Sequence, residues 1–137
     1  MEKAFEDFAR QFAERIVRGE YESAREFLAP WLRNAVSAEQ LETIVREGRG
    51  ENPAPARFDF DENESGLEDL QVDPSSPPTR PLPAEITAQN YRLWMVIQFE
   101  PDPDANTGYD TSFDLWMAVV DVDGALKIGY LEAANAD

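Results

Sequence analysis

Two stretches of this 137-residue chain place oxygen-bearing side chains at alternate positions, the spacing with which a calcium loop begins. Asp59, Asp61 and Asn63 form the first series; Asp102, Asp104 and Asn106 form the second. Each departs from a complete loop. Glu64 stands where the first needs its sharp-turn glycine, and Leu70 replaces its closing bidentate glutamate. The second also lacks glycine at its sixth position, and Phe113 replaces the closing glutamate. Solvated acidic turns account for both series, with weak calcium binding as the sharper alternative. No cofactor is expected.

A second kind of chemistry is recognition. Arg92, Trp94 and Val96 alternate in one apolar segment, and Trp116 and Ala118 alternate in another, with Leu131 further on. Tryptophan beside arginine is the composition of an interface hot spot. If these residues share one sheet face, two coverings are open: a second copy of the chain, giving a homodimer, or residues 50–85 folded over the face within one chain. A third feature is charge. Residues 51–73 hold eight acids and a single base, Arg57. Such a run is usually a solvated face, and its sharper meaning is attraction for a basic protein partner.

Composition narrows the rest. Zero histidine excludes an imidazole base and a Ser-His-Asp triad, and zero cysteine excludes a thiol nucleophile or a disulfide framework. The formal net charge of −16 repels nucleic acid and an anionic membrane. Glu2, Glu6, Asp7 and Arg10 interrupt the first turns, so no secretory leader is expected there, and a cytoplasmic protein is the default.

The elements that must position these residues follow from periodicity. The acidity is uneven: residues 1–49 carry −2 and residues 50–137 carry −14. The first part reads as three helices. Phe5, Phe8, Phe12 and Ile16 mark one face of the first, and Gly19 stops it. Tyr21, Ala24, Leu28, Trp31 and Leu32 mark a second over about 20–33, with Pro30 kinking or ending it. Ser37 and Gln40 form a capping box for a third, which Gly48 ends. Residues 50–90 read as irregular and proline-rich, with a short strand at Phe58 and Phe60 and another short element near Leu67 and Leu70.

Residues 91–132 read as an antiparallel meander. Asp123-Gly124 is a two-residue hairpin signal that pairs Val119 with Ile128, Met117 with Tyr130 and Leu115 with Glu132. That register puts Tyr91, Leu93, Met95, Ile97, Phe99, Met117, Val119, Ile128 and Tyr130 on the face that covers the helices. It puts Arg92, Trp94, Val96, Gln98, Asp114, Trp116, Ala118 and Leu131 on the other. The whole is expected to be one α+β domain, residues 1–137.

The Phe-rich first helix, the turn Gly19-Glu20-Tyr21-Glu22-Ser23-Ala24 and the closing hairpin from Asp114–Val120 to Lys127–Leu131 resemble the nuclear transport factor two-like (NTF2-like) superfamily. That group includes SnoaL-like cyclases and ketosteroid isomerases, and cystatin-like proteins share most of its features. The resemblance implies three helices on a curved, cone-shaped antiparallel sheet, with dimers commonly formed through the outer sheet face. It also implies a pocket between helices and sheet, in which a carboxylate acts as base beside a tyrosine. Asp121 is the carboxylate available for that role, with Tyr91 and Tyr130 as partners and Glu132 also at a strand end. The simpler reading is that these acids are solvated and the tyrosines complete the core. Immunity-type inhibitors of basic proteins are a further possibility that the resemblance carries.

Overall fold

The computed structural model describes residues 2–50, 55–63, 66–70, 75–101 and 112–135. Among them lie four helices, α1 (Lys3–Val17), α2 (Tyr21–Arg25), α3 (Pro30–Ala35) and α4 (Ala38–Arg49). Four strands follow, β1 (Pro55–Asn63), β2 (Tyr91–Pro101), β3 (Phe113–Val122) and β4 (Ala125–Asn135), with a 3-10 turn at Leu67–Asp69. The strands form one antiparallel sheet in the order β1-β2-β3-β4, so the fold is α+β. None of the described helices is long and apolar enough to cross a membrane.

The helices number four where periodicity predicts three. The apolar pattern over residues 20–33 is split because the chain leaves the helix at Phe27 to run beside β4. Ile128 N–H donates to Phe27 O, and Ala29 N–H donates to Ile128 O, both at 2.8 Å. Pro30 then opens α3, where its missing N–H costs nothing. Ser37 and Gln40 make the predicted capping box at α4. Gly48 has a different role from the one its sequence position implies. The helix continues through it, and a β-carbon there would lie 2.7 Å from the Ala133 β-carbon. Gly48 lets α4 press onto β4, and Gly50, at φ +63°, ends the helix.

Phe12, Ile16, Leu28, Leu41 and Val45 fill the layer between helices and sheet, against Met95, Ile97, Phe99, Leu115, Met117 and Val119. The inner strand faces are thus as the alternation predicts through Val119 and Ile128. Asp123 (φ 53°) and Gly124 (φ 87°) form the predicted tight turn.

Beyond Ile128 the predicted register fails. Val119 pairs with Ile128, but Ala118 pairs with Tyr130 and Met117 with Leu131, so Gly129 is an extra residue on β4. A bulge of one residue moves every later side chain to the other face. Leu131 therefore joins the core with the helices, and Tyr130 turns to the outer face. A second bulge, at Arg92, lies between the pairs Tyr91–Val120 and Leu93–Val119 and moves Tyr91 outward in the same way. Gly129 suits its place because a β-carbon there would crowd the Trp31 ring at 3.1 Å and Val120 at 3.0 Å. The Trp31 indole lies across the strand and donates to Gly129 O at 3.0 Å.

Candidate functional site

The outer sheet face is organised in cross-strand rows. Asn63, Trp94, Ala118 and Tyr130 form one row; Asp61, Val96, Trp116 and Glu132 form the next; Asp59, Gln98 and Asp114 lie beyond. The first row is covered by the chain itself. Leu67, Leu70, Leu82, Ile86 and Trp31 pack over Trp94, Ala118, Val120 and Tyr130. Trp94 is left 1% exposed, and it stacks on Trp116 with ring centres 5.9 Å apart. Of the two coverings open in the sequence, the intrachain one holds over this row. Trp94 and Ala118 are buried there and Leu131 belongs to the helix-side core, so none of the three offers contact surface on the outer face.

Apart from Glu132, the described residues of the far rows are exposed or half-buried. Asp59, Phe60, Asp61, Val96, Gln98 and Asp114 line a depression of about 400 Å³. Trp116, half-buried, is the cross-strand neighbour of Val96 on its floor. Three of the lining residues are carboxylates and none is basic. Asp59 Oδ1 accepts the Phe60 N–H at 2.9 Å, while Asp61 is exposed. Asp114 differs: its Oδ1 atom is buried without a hydrogen-bond partner among the described residues. Burial pushes its carboxyl above the ordinary value, because a charge leaving water without a partner is costly.

A second polar cluster ties the proline-rich segment to β4. Glu132, 9% exposed, accepts the Thr79 N–H on Oε1 at 2.8 Å and the Thr79 hydroxyl on Oε2 at 2.6 Å. The Tyr130 hydroxyl also donates to Oε1. Arg80 donates to Leu131 O at 3.2 Å and stacks over the Tyr130 ring at 5.6 Å. Burial opposes the Glu132 charge, but the Thr79 and Tyr130 hydrogen bonds, with Arg80 nearby, outweigh it and hold the carboxyl below its ordinary range. Burial and the Glu132 carboxylate push the Tyr130 hydroxyl up to about 12. The carboxylate is thus ionised with its lone pairs committed, which suits an anchor better than a general base.

Of the residues implied as catalytic, Tyr130 meets Glu132, while Asp121 is engaged at the turn between two strands. Asp121 serves the β3–β4 turn, accepting Gly124 N–H on Oδ1 at 2.9 Å. Its Oδ2 lies 3.7 Å from Arg92, whose guanidinium also donates to Gln89 O at 2.8 Å. Tyr91 and Tyr130 lie on the outer face among the covering residues, away from the helix-side core that the resemblance implied. Burial and the Glu68 charge push the Tyr91 hydroxyl up to about 12.

Asp59, Asp61 and Asn63 lie on a strand, which spaces alternate residues about 7 Å apart along a line. Among the described residues no three His, Cys, Asp or Glu side chains gather as a metal would require. Asp102, Asp104 and Asn106 lie outside the described residues. Thr79 and Arg80 went unmarked in the sequence, because only the register shift at Gly129 brings Glu132 round to meet them. Gly129 inside a strand pattern was the available signal. No family model, curated protein or solved structure matches this chain.

Proposed function

We propose that this is a small non-enzymatic binding protein whose contact surface is the open part of its outer sheet face, and that its partner is a basic protein. The observation that carries the reading is the depression around Asp59, Asp61 and Asp114, with Val96 and Gln98 between the carboxylates. A lysine or arginine side chain seated there meets the exposed carboxylates of Asp59 and Asp61 beside Asp114. The net charge of −16 steers such a partner inward and repels a second copy of the same chain. The homodimer that the outer tryptophans imply is therefore the weaker alternative, since Trp94 is already covered. An immunity-type inhibitor is the form of this reading that charge favours. The resemblance to the NTF2-like superfamily and its cone-shaped sheet belongs to the same proposal, as does a cytoplasmic setting.

The test is amide chemical-shift mapping with a ten-residue peptide of alternating lysine and valine. Shifts centred on Asp59, Asp61, Gln98 and Asp114 are expected. Shifts scattered over the surface, or confined to the helices, overturn the reading.

A further inference from the structure

A separate trough lies along the β4 edge, between the helices and residues 80–83. One recess, of about 210 Å³, is lined by Leu28, Leu32, Val36, Ile44 and Leu131, with Pro81 and Pro83 opposite. A second, of about 300 Å³, is lined by Glu47, Gly48, Glu132 and Ala133. The two recesses adjoin at Ile44 and Arg80, one mostly apolar and the other charged, and together they are called the trough. Its walls are built before any ligand arrives. Prolines with fixed φ stand on one side, α4 is held against β4 by Gly48 on the other, and Arg80 is pinned to Leu131 O.

The charges choose the ligand. At the polar end stand two carboxylates, Glu47 and Glu132, and one guanidinium, Arg80, which leaves one negative charge. Glu132 is engaged by Thr79 and Tyr130. Glu47 is exposed and makes no hydrogen bond or ion pair among the described residues. An anionic head meets an excess of negative charge here, and the field of the whole molecule opposes it further. A neutral head gains a hydrogen bond from Glu47 at most, without the attraction between opposite charges.

We propose that the trough binds a small cationic amphiphile, a primary alkyl- or arylalkylamine. Its hydrocarbon lies among Leu28, Leu32, Val36 and Ile44, and its ammonium pairs with Glu47. The apolar end supplies affinity through burial, and the carboxylate supplies the choice of head group.

The test titrates the full chain with n-octylamine, n-octanol and n-octanoate, all of one chain length, at low salt. Methyl NMR signals of Leu28, Leu32, Val36 and Ile44 report occupancy. Octylammonium is expected to shift these methyls and to bind at least about tenfold tighter than octanoate. Glu47→Gln, a change at an exposed position that leaves the fold intact, weakens octylammonium by roughly two- to fivefold and weakens octanol less. Octanoate binding as tightly as octylammonium, no methyl shift with any of the three, or a Glu47→Gln protein that binds octylammonium undiminished each overturns the proposal.

Discussion

At the scale of single residues, two carboxylates on the outer face have opposite environments and so opposite consequences. Glu132 is met by three hydrogen-bond donors, and its folded-state pKa lies below the ordinary 4.5. A depressed acid contributes stability that is present above its unfolded value and lost as pH falls through the folded one. Glu132→Ala strands Thr79 and Tyr130 without their acceptor and is expected to cost about 2–4 kcal/mol in urea unfolding at pH 7. Glu132→Gln should flatten the acid limb of a stability profile below pH 4.5, and an unchanged limb argues against the anchor role.

Asp114 has the reverse sign. Its folded-state pKa is raised by burial, so its charged form opposes folding above that value and the penalty disappears as pH falls. Asp114→Asn is therefore expected to raise Tm at neutral pH by about 1–3 °C while weakening capture of a basic peptide. A residue that weakens the fold and strengthens binding is best explained by the binding. A variant that loses both, or gains both, contradicts that assignment.

At the scale of elements, the strands were legible where alternation is unbroken and misread where one glycine interrupts it. Phe113 to Val119 and Leu93 to Phe99 alternate strictly, and their faces follow from the sequence. Gly129 has no side chain to declare a face, so counting back from the Asp123-Gly124 turn carried the wrong parity past it. Tyr130, Leu131 and Glu132 were all misplaced by that single step. The helix split at Phe27 was hidden for a related reason. It depends on backbone hydrogen bonds to β4, which lies about 100 residues away in sequence. Gly129→Val tests the bulge directly. The added side chain meets Trp31, Val120 and Ile86 and is expected to destabilise by about 1–3 kcal/mol, with a change in near-ultraviolet tryptophan signal. A neutral effect means that the strand can take its regular register.

Residues 75–90 show the limit more sharply. Their prolines ruled out a regular element, but composition alone does not say where an irregular segment lies. Its place is set by Leu82 and Ile86 on the aromatic cluster and by Thr79 and Arg80 on β4. The same segment meets the β4 edge at Leu131 O through Arg80, on a strand edge that another chain could otherwise pair with. Residues 27–29 and the Trp31 indole meet that edge at Ile128 and Gly129.

At the scale of the whole molecule, the described residues divide the outer face into a covered apolar part and a more exposed acidic part. The candidate interface was legible only as a face rich in tryptophan beside an acidic segment; which part is covered depended on where Leu67, Leu70, Leu82 and Ile86 pack. Light scattering should give a monomer of 15.5 kDa at both low and high salt. A dimer that Trp116→Glu splits would return the face to self-association.

The most direct measurement is the affinity of the lysine–valine peptide across a series of salt concentrations, for the wild type and for the Asp59→Asn, Asp61→Asn, Asp114→Asn triple variant. Binding that weakens steeply with salt in the wild type, and is lost in the variant, is the predicted result. Binding that is indifferent to salt, or retained without those three carboxylates, would contradict the account.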